Sequence, residues 1–184
     1  MNNYSWLQQK LHQLALSSQF MREVTFDAEN SAISINQTND NNVFVSGLAR
    51  SGTTILLNAL YKSAEFASLS YQDMPFVLAP NLWSKLSLDK KDTDFVERAH
   101  GDGIKVSTES PEAFEEVFWM TFGEDDNDTK EKFKNYVQLI NQKYYKKRYL
   151  SKNNQNIRRV EFISKIFPHS KILITFRNPI QHAY

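Results

Sequence analysis

A short loop bounded by two glycines constrains the fold of this chain more than any other feature of its sequence. Before the loop, the apolar and β-branched run Val43-Phe44-Val45 indicates a buried strand. Gly47 and Gly52 bound the loop itself, and the pattern from Thr53 to Lys62 predicts a helix after it. The apolar side chains expected on one face of that helix are Ile55, Leu56, Ala59 and Leu60. A strand, a tight loop and a helix in this order are typical of α/β folds.

The spacing of the loop predicts a site for phosphate-like oxygens. Gly47-Leu48-Ala49-Arg50-Ser51-Gly52-Thr53-Thr54 has the glycine spacing of the motif G-x-x-x-x-G-K-[ST]. Such a loop turns successive backbone N–H groups inward, and the helix amino terminus adds partial positive charge. The lysine of the motif is Thr53 here, so the usual charge stabilisation for triphosphate chemistry is missing. A basic group occurs earlier in the loop, as Arg50. The alternative is a tight turn that binds no ligand.

A second candidate anion-binding residue follows a later strand. Residues Lys171 to Phe176 (KILITF) predict a buried strand, and Arg177 comes directly after it. Ligands of open α/β sheets bind at the carboxyl ends of the strands, which is where Arg177 is expected. Asn178-Pro179 then predicts the start of a helix, whose amino terminus can share the same anion.

The remaining periodicities predict further helices and one more strand. The expected elements are a helix from Tyr4 to Phe20, an extended stretch near Val24 to Phe26, a strand from Phe66 to Leu69, and helices over Pro75–Leu82, Pro111–Met120, Thr129–Tyr145 and Ile157–Phe167. Alternating strands and helices predict an α/β fold around a mainly parallel sheet flanked by helices. The length of 184 residues predicts a single domain, residues 1–184.

Composition removes several classes of function. The chain has no cysteine, which excludes disulfides and thiolate metal sites. Its net charge of +1 gives no global field for nucleic acid, so no nucleic-acid partner is expected. No apolar run approaches the ~20 residues that a membrane helix needs, and the amino terminus does not have the pattern of a secretory signal. We therefore expect a cytoplasmic protein without a membrane span.

The loop also resembles a known family. VFVSGLARSGTT is similar to the 5′-phosphosulfate loop of the sulfotransferases, in which a basic residue precedes serine-glycine-threonine-threonine. Arginine as that residue resembles the bacterial and tyrosylprotein branches. The resemblance implies a P-loop-type three-layer fold and 3′-phosphoadenosine 5′-phosphosulfate (PAPS) as co-substrate. The residues that it implies for binding the donor are Arg50, Ser51, Gly52, Thr53 and Thr54, and it also implies a catalytic role for Arg50.

The end of the sequence resembles another motif of the same family. FPHSKILITFRNPIQHAY is similar to the 3′-phosphate motif, in which an arginine and a later serine bind the 3′-phosphate. The resemblance implies that Arg177 is this arginine. The serine would fall on the residue after Tyr184, so the chain is expected to cover the front part of a family domain.

Sulfuryl transfer needs a base for the acceptor and a cation for the leaving oxygen. The family has a lysine in a short segment comparable to residues 148–154, which implies Lys152 as the cation. A surface lysine is the alternative. The region around Asp73 is similar to that of the catalytic glutamate in the tyrosylprotein branch, which implies Asp73 as the base. The alternative is a helix cap, because an acid before a proline-started helix is equally typical of a cap. His100 is a secondary candidate for the base, and no metal is expected. Glu112, Glu115 and Glu116 are expected to be solvated.

These observations together predict a sulfotransferase that transfers a sulfuryl group from PAPS to a hydroxyl or amine acceptor. Two alternatives stay open: a P-loop kinase or nucleotide hydrolase, and a non-catalytic, truncated nucleotide-binding module. The sequence names neither the acceptor nor the oligomeric state.

Overall fold

Four parallel strands form the central sheet in the part of the chain that the structure describes. The computed structural model describes residues 18–32, 40–86, 96–97, 105–106, 110–124 and 126–180. The strands of the sheet are β1 (Val43–Gly47), β2 (Phe66–Ala67), β5 (Arg148–Lys152) and β6 (Lys171–Thr175). They are ordered β2-β5-β1-β6, and every neighbouring pair is parallel. Two short strands, β3 (Val96–Glu97) and β4 (Lys105–Val106), pair antiparallel with each other. The predicted α/β fold around a mainly parallel sheet is confirmed.

Helices of the described residues pack on both faces of this sheet. They are α1 (Gln19–Ala32), α2 (Thr53–Tyr61), α3 (Pro80–Leu86), α4 (Glu116–Phe122), α5 (Asn127–Lys143) and α6 (Val160–Ile166). Short 3₁₀ turns cover Tyr71–Asp73 and Asn154–Ile157. The helix predicted from Tyr4 to Phe20 lies almost entirely outside the described residues.

Alternating side chains of the strands separate the core into two clusters. Val43 and Val45 of β1 pack with Leu57 of α2 on one face of the sheet. Phe44 points to the other face, where it packs in a larger aromatic cluster with Phe133 of α5. This alternation follows from the two-residue period of a strand, and it gives the three-layer arrangement expected from the resemblance. The predicted apolar stripe of α5 is buried: Phe133, Tyr136, Val137 and Ile140.

One strand of the sheet was absent from the sequence prediction. β5 lies between β2 and β1, and its residues Tyr149, Leu150 and Ser151 are buried. Charged residues, Arg148 and Lys152, occupy both of its ends. The strand was not predicted because its buried part is only three residues long and a charged residue stands at each end. Charged residues are tolerated at the ends of a strand, because their long side chains can reach solvent. The position of β5 carries Lys152 to the carboxyl edge of the sheet.

The stretch predicted to be extended near residues 24–26 is helical. These residues lie inside α1, where Phe26 is fully buried against Phe118 and Phe122. Burial of one helical face outweighs the β-preference of Val24 and Thr25.

The helix predicted to start at Pro75 starts instead at Pro80. The carboxylate of Glu29 in α1 accepts hydrogen bonds from the backbone N–H groups of Asn81 and Leu82 at 3.0–3.1 Å. It thereby satisfies first-turn donors that a helix start leaves unpaired. Burial raises the pKa of Glu29 despite these hydrogen bonds. The start of α3 is thus fixed by a residue 52 positions away, which local sequence cannot reveal.

Three further expectations, about the start of one helix and the burial of another helix and a strand, were wrong. α4 starts at Glu116 rather than Pro111, because Pro111 forms an antiparallel bridge with Ser70. On α2, Ile55 is 68% exposed, and the buried face carries Thr53, Thr54 and Leu57. β6 pairs only with β1 among the described strands, so this strand is half-exposed rather than buried.

Candidate functional site

The loop between β1 and α2 closes through backbone conformations that favour glycine. Gly47 has a φ of 147° and Gly52 a φ of 96°, and Arg50 between them has a φ of 64°. A Cβ atom on Gly47 would lie 2.5 Å from the carbonyl oxygen of Thr175, whereas a Cβ atom on Gly52 would meet nothing within 4 Å. Gly47 is therefore required for close packing against β6, and Gly52 for its φ angle at the start of the helix.

The Ser51 side chain fastens the loop to the sheet. Its hydroxyl donates to the carbonyl oxygen of Leu48 at 2.7 Å and shares a 2.6 Å hydrogen bond with the hydroxyl of Thr175. Its backbone N–H also donates to the Leu48 carbonyl, at 3.2 Å. Ser51 was predicted to bind the donor, but in the structure its hydroxyl and its backbone N–H both form hydrogen bonds within the protein. Ser51 thus holds the loop in shape.

A cleft of about 810 Å³ opens at the carboxyl edge of the sheet. Its lining residues come from the loop after β1, the ends of β5 and β6, and the segments around residues 71 and 113. They are Ala49, Arg50, Gly52, Thr53, Thr54, Ile55, Tyr71, Glu112, Ala113, Phe114, Lys152, Asn154 and Arg177. The structure therefore brings together six of the predicted site residues, namely Arg50, Gly52, Thr53, Thr54, Lys152 and Arg177. Ser51 and Asp73 are not among the lining residues.

Positive charge gathers in the cleft. Arg50 and Arg177 are exposed, and within the described part of the chain neither guanidinium has a hydrogen bond or an ion pair. The side chain of Lys152, by contrast, is only 12% exposed. The amino terminus of α2, whose residues Thr53, Thr54 and Ile55 line the same cleft, adds partial positive charge, because the first N–H groups of a helix have no partner within it. This arrangement can hold a ligand with several anionic groups.

Asp73, the predicted base, is buried away from the cleft. Its carboxylate forms an ion pair with Lys143 and accepts hydrogen bonds from the Tyr144 hydroxyl at 2.6 Å and the Ser70 N–H at 2.7 Å. Burial, with the charge of Asp73 beside it, raises the pKa of Tyr144, so this hydroxyl remains a donor. Oδ2 of Asp73 closes the 3₁₀ turn at Tyr71–Asp73 through the Ser70 N–H, and Oδ1 ties this turn to Lys143 of α5. This environment gives Asp73 a structural role and does not support the base. Asp73 is not the cap of a helix at Pro75 either, because α3 starts at Pro80 and the carboxylate instead caps the 3₁₀ turn.

The carboxylate that does lie in the cleft is Glu112. Its Oε2 accepts a 3.0 Å hydrogen bond from the Tyr71 hydroxyl, and its Oε1 lies 3.7 Å from Nζ of Lys152. The backbone N–H of Glu112 donates to the carbonyl oxygen of Leu69 at 3.1 Å, which fastens this segment beside the extension of β2. Glu112 was expected to lie on a solvated face, so its place in the cleft was not predicted. An acid directly after Pro111, in a segment that precedes a helix, was the available signal.

The two neighbouring acids are not solvated either. Glu115 is buried and accepts hydrogen bonds from the Trp119 indole, the Asn156 amide and the Tyr149 hydroxyl at 2.6–3.0 Å. Glu116 pairs with the buried guanidinium of Arg159, at 2.7 Å. Because Tyr149 belongs to β5, Glu115 ties α4 to the strand that carries Lys152. Glu115 and Glu116 therefore anchor the segment whose residues Glu112, Ala113 and Phe114 line the cleft.

No group of three or more His, Asp or Glu side chains among the described residues is arranged to hold a metal ion. No helix in the described ranges is long and apolar enough to cross a bilayer. His100, the secondary candidate for the base, lies outside the described residues.

Comparisons with known proteins show the family of the chain and support its fold. The model of the sulfotransferase family matches residues 42–184. No curated protein matches the chain. The sulfotransferase STF1 from Mycobacterium tuberculosis H37Rv is similar with a TM-score of 0.58 and 14% identity, over 97% of this chain and 57% of that one. The sulfotransferase STF9 from Mycobacterium avium has a TM-score of 0.51 and 15% identity, over 97% of this chain and 54% of its own. The chain thus spans little more than half the length of these structures, and at such identities the likeness shows the fold alone.

Proposed function

Because the chain belongs to the sulfotransferase family, we propose that it transfers a sulfuryl group from PAPS to a hydroxyl or amine acceptor. The observation that carries the proposal is the convergence of three separate chain segments on one cleft. The loop after β1, Lys152 at the end of β5 and Arg177 after β6 lie far apart in sequence, yet all line it. The order of the strands produces this convergence, since β1 lies between β5 and β6 and all three are parallel. Their carboxyl ends therefore meet at one edge, as in other open α/β sheets.

In this proposal the donor lies along the positive side of the cleft. The amino terminus of α2, with Gly52, Thr53 and Thr54, binds the oxygens of the 5′-phosphate and the sulfuryl group. Arg50 stabilises their charge from the loop, and Arg177 binds the 3′-phosphate. Both guanidinium groups are exposed and unpaired within the described residues, so neither has to leave a partner in order to bind. Thr53 in place of the P-loop lysine favours this donor over a nucleoside triphosphate.

Glu112 and Lys152 supply the two chemical roles of the transfer. An oxygen or nitrogen of the acceptor attacks the sulfur, and its proton passes to the carboxylate of Glu112. The new bond to sulfur forms as the bond between sulfur and the bridging oxygen breaks. The electron pair of that bond stays on the 5′-phosphate, so adenosine 3′,5′-bisphosphate leaves. Lys152 stabilises the negative charge that develops on the bridging oxygen.

A thermal-shift titration tests the proposed donor site. The full chain is titrated with adenosine 3′,5′-bisphosphate, in parallel with ATP and magnesium. Ligand at a hundred times its dissociation constant adds about 2.7 kcal/mol of stability. For a chain of this length we expect Tm to rise by roughly 5–11 °C with the bisphosphate alone. A rise with magnesium-ATP alone would favour a kinase or hydrolase, and no rise with either ligand would contradict the proposed donor site.

A variant of Arg177 sharpens the same titration. Arg177→Met is expected to reduce the preference for adenosine 3′,5′-bisphosphate over adenosine 5′-phosphate, because only the first ligand has the 3′-phosphate. Arg158→Met is the matched control, since Arg158 is exposed but does not line the cleft. An equal loss of preference in both variants would argue against a specific contact at Arg177.

A further inference from the structure

Lys152 and Glu112 form an ion pair inside the cleft. Nζ of Lys152 lies 3.7 Å from Oε1 of Glu112, and the two side chains are only 12% and 15% exposed. This separation is longer than a hydrogen bond, so charge alone holds the two groups together. Charges that are largely withdrawn from water interact more strongly than charges on an open surface. The ammonium that would meet the donor is therefore already compensated by a carboxylate.

The two partners are held very differently. Glu112 keeps its place without the lysine, because the Tyr71 hydroxyl donates to Oε2 at 3.0 Å and the N–H of Ala113 donates to Oε1 at 2.9 Å. The ammonium of Lys152 has no hydrogen bond within the described residues, and its four-carbon side chain extends from the end of β5. When an anion enters the cleft, the lysine can turn towards it while the carboxylate stays aimed.

We propose that the 5′-phosphate of the donor competes with Glu112 for Lys152, so that donor binding breaks the ion pair and releases Glu112 to accept the acceptor's proton. This inference rests on the proposed function of the same cleft. Its consequence is an order of events, because the base becomes available only after the donor has taken the lysine. Tyr71 is then a positioning residue, since it keeps Glu112 oriented after the pair has broken.

The competition is measurable without knowing the acceptor. Glu112→Gln removes the competing charge and keeps the shape of the side chain, so Lys152 is free to meet the 5′-phosphate. We expect adenosine 3′,5′-bisphosphate to bind the variant about three- to tenfold more tightly, which corresponds to about 0.7–1.4 kcal/mol. Isothermal titration calorimetry of the full chain measures both dissociation constants. Glu112→Asp, which withdraws the carboxylate by one methylene, should give a smaller gain and serves if the glutamine variant does not fold.

Two controls separate an exchange of partners from simple charge repulsion. In a Lys152→Met background no lysine can be released, so Glu112→Gln should leave the affinity of that background unchanged. Glu65→Gln breaks the ion pair between Glu65 and Arg148, whose atoms lie 2.9 Å apart at the opposite end of the same strand. This variant should bind the bisphosphate as the unmodified chain does.

The outcomes distinguish this inference from the function on which it rests. Unchanged or weaker binding by Glu112→Gln, in a chain that binds the bisphosphate, would refute the competition and leave the proposed donor site intact. A gain that persists without Lys152 would refute it as well, because repulsion alone would then explain the effect. A chain that does not bind the bisphosphate at all would overturn the proposed function, and the competition with it.

Discussion

Asparagine in place of Asp73 tests whether this buried carboxylate has a structural or a catalytic role. The substitution keeps the size of the side chain and removes its charge. Lys143, which is 11% exposed, would then lie beside an uncharged amide, and breaking a buried ion pair in this way costs about 3–5 kcal/mol. The carboxylate uses both of its oxygens: Oδ2 accepts from the Ser70 N–H and the Tyr144 hydroxyl, and Oδ1 pairs with Lys143. The amide has only one oxygen that can accept, so it cannot replace both sets of contacts.

This loss should appear as a large fall in Tm. At about 2–4 °C per kcal/mol for a chain of this length, Asp73→Asn is expected to melt roughly 6–20 °C lower. Differential scanning calorimetry measures the change, and Asp128→Asn, which affects an exposed pair with Lys132, is the matched control expected to melt near the wild type. Adding Lys143→Met to Asp73→Asn should recover part of the loss, because no unpaired charge remains. A variant Asp73→Asn with the wild-type Tm would refute the structural role and return Asp73 to the candidates for the base.

Two further predictions concern the glycine loop and the ion pair between Glu116 and Arg159. Gly52→Ala should cost about 1–3 kcal/mol for its φ of 96°, and Gly47→Ala more, because the added Cβ also meets Thr175 at 2.5 Å; equal losses in urea denaturation would contradict this. Partial burial alone would raise the pKa of Glu116, but hydrogen bonds led by that from Arg159 lower it below the ordinary 4.5. An acid whose pKa is lower in the folded state than in the unfolded state stabilises the fold at pH values above its unfolded-state pKa. This contribution disappears as the pH falls through the folded-state pKa. Glu116→Gln should therefore lose less stability on acidification below pH 4.5 than the wild type in a urea series, and parallel curves would argue against it.

The elements predicted correctly from sequence are those that local pattern determines. β1, the glycine loop and α2 follow one another without a gap, so strand composition, glycine spacing and helical periodicity were each visible within twenty residues. Arg177 was placed by the same reasoning, since a parallel strand that follows a helix must bring its carboxyl end to the ligand edge. Their convergence needed only the rule that parallel strands present one common edge.

The errors share a different cause, which is contact over long sequence distance. Lys143 lies 70 residues from Asp73, and nothing near Asp73 in the sequence announces this partner. β5 was missed because its charged ends hid a short buried centre, although it forms the middle of the sheet with β1. The bridge between Ser70 and Pro111 places the neighbouring Glu112 at the cleft. It pairs two isolated residues, so it produces no periodic pattern in the sequence.

The two sides of the cleft are held in place by separate sets of contacts. Its proposed donor side is built from the loop after β1 and the ends of two strands, and these groups hold their places without Asp73. Its proposed acceptor side begins at Asp73, which fixes the turn that carries Tyr71, and Tyr71 in turn holds Glu112. Because the two sides are anchored separately, Asp73→Asn molecules that remain folded should keep their affinity for the bisphosphate while Glu112 loses its orientation. Asp73 would then affect the transfer by positioning the base, and it would not act as the base itself. An acid at this point of the sequence can therefore resemble a catalytic residue although it does not line the cleft.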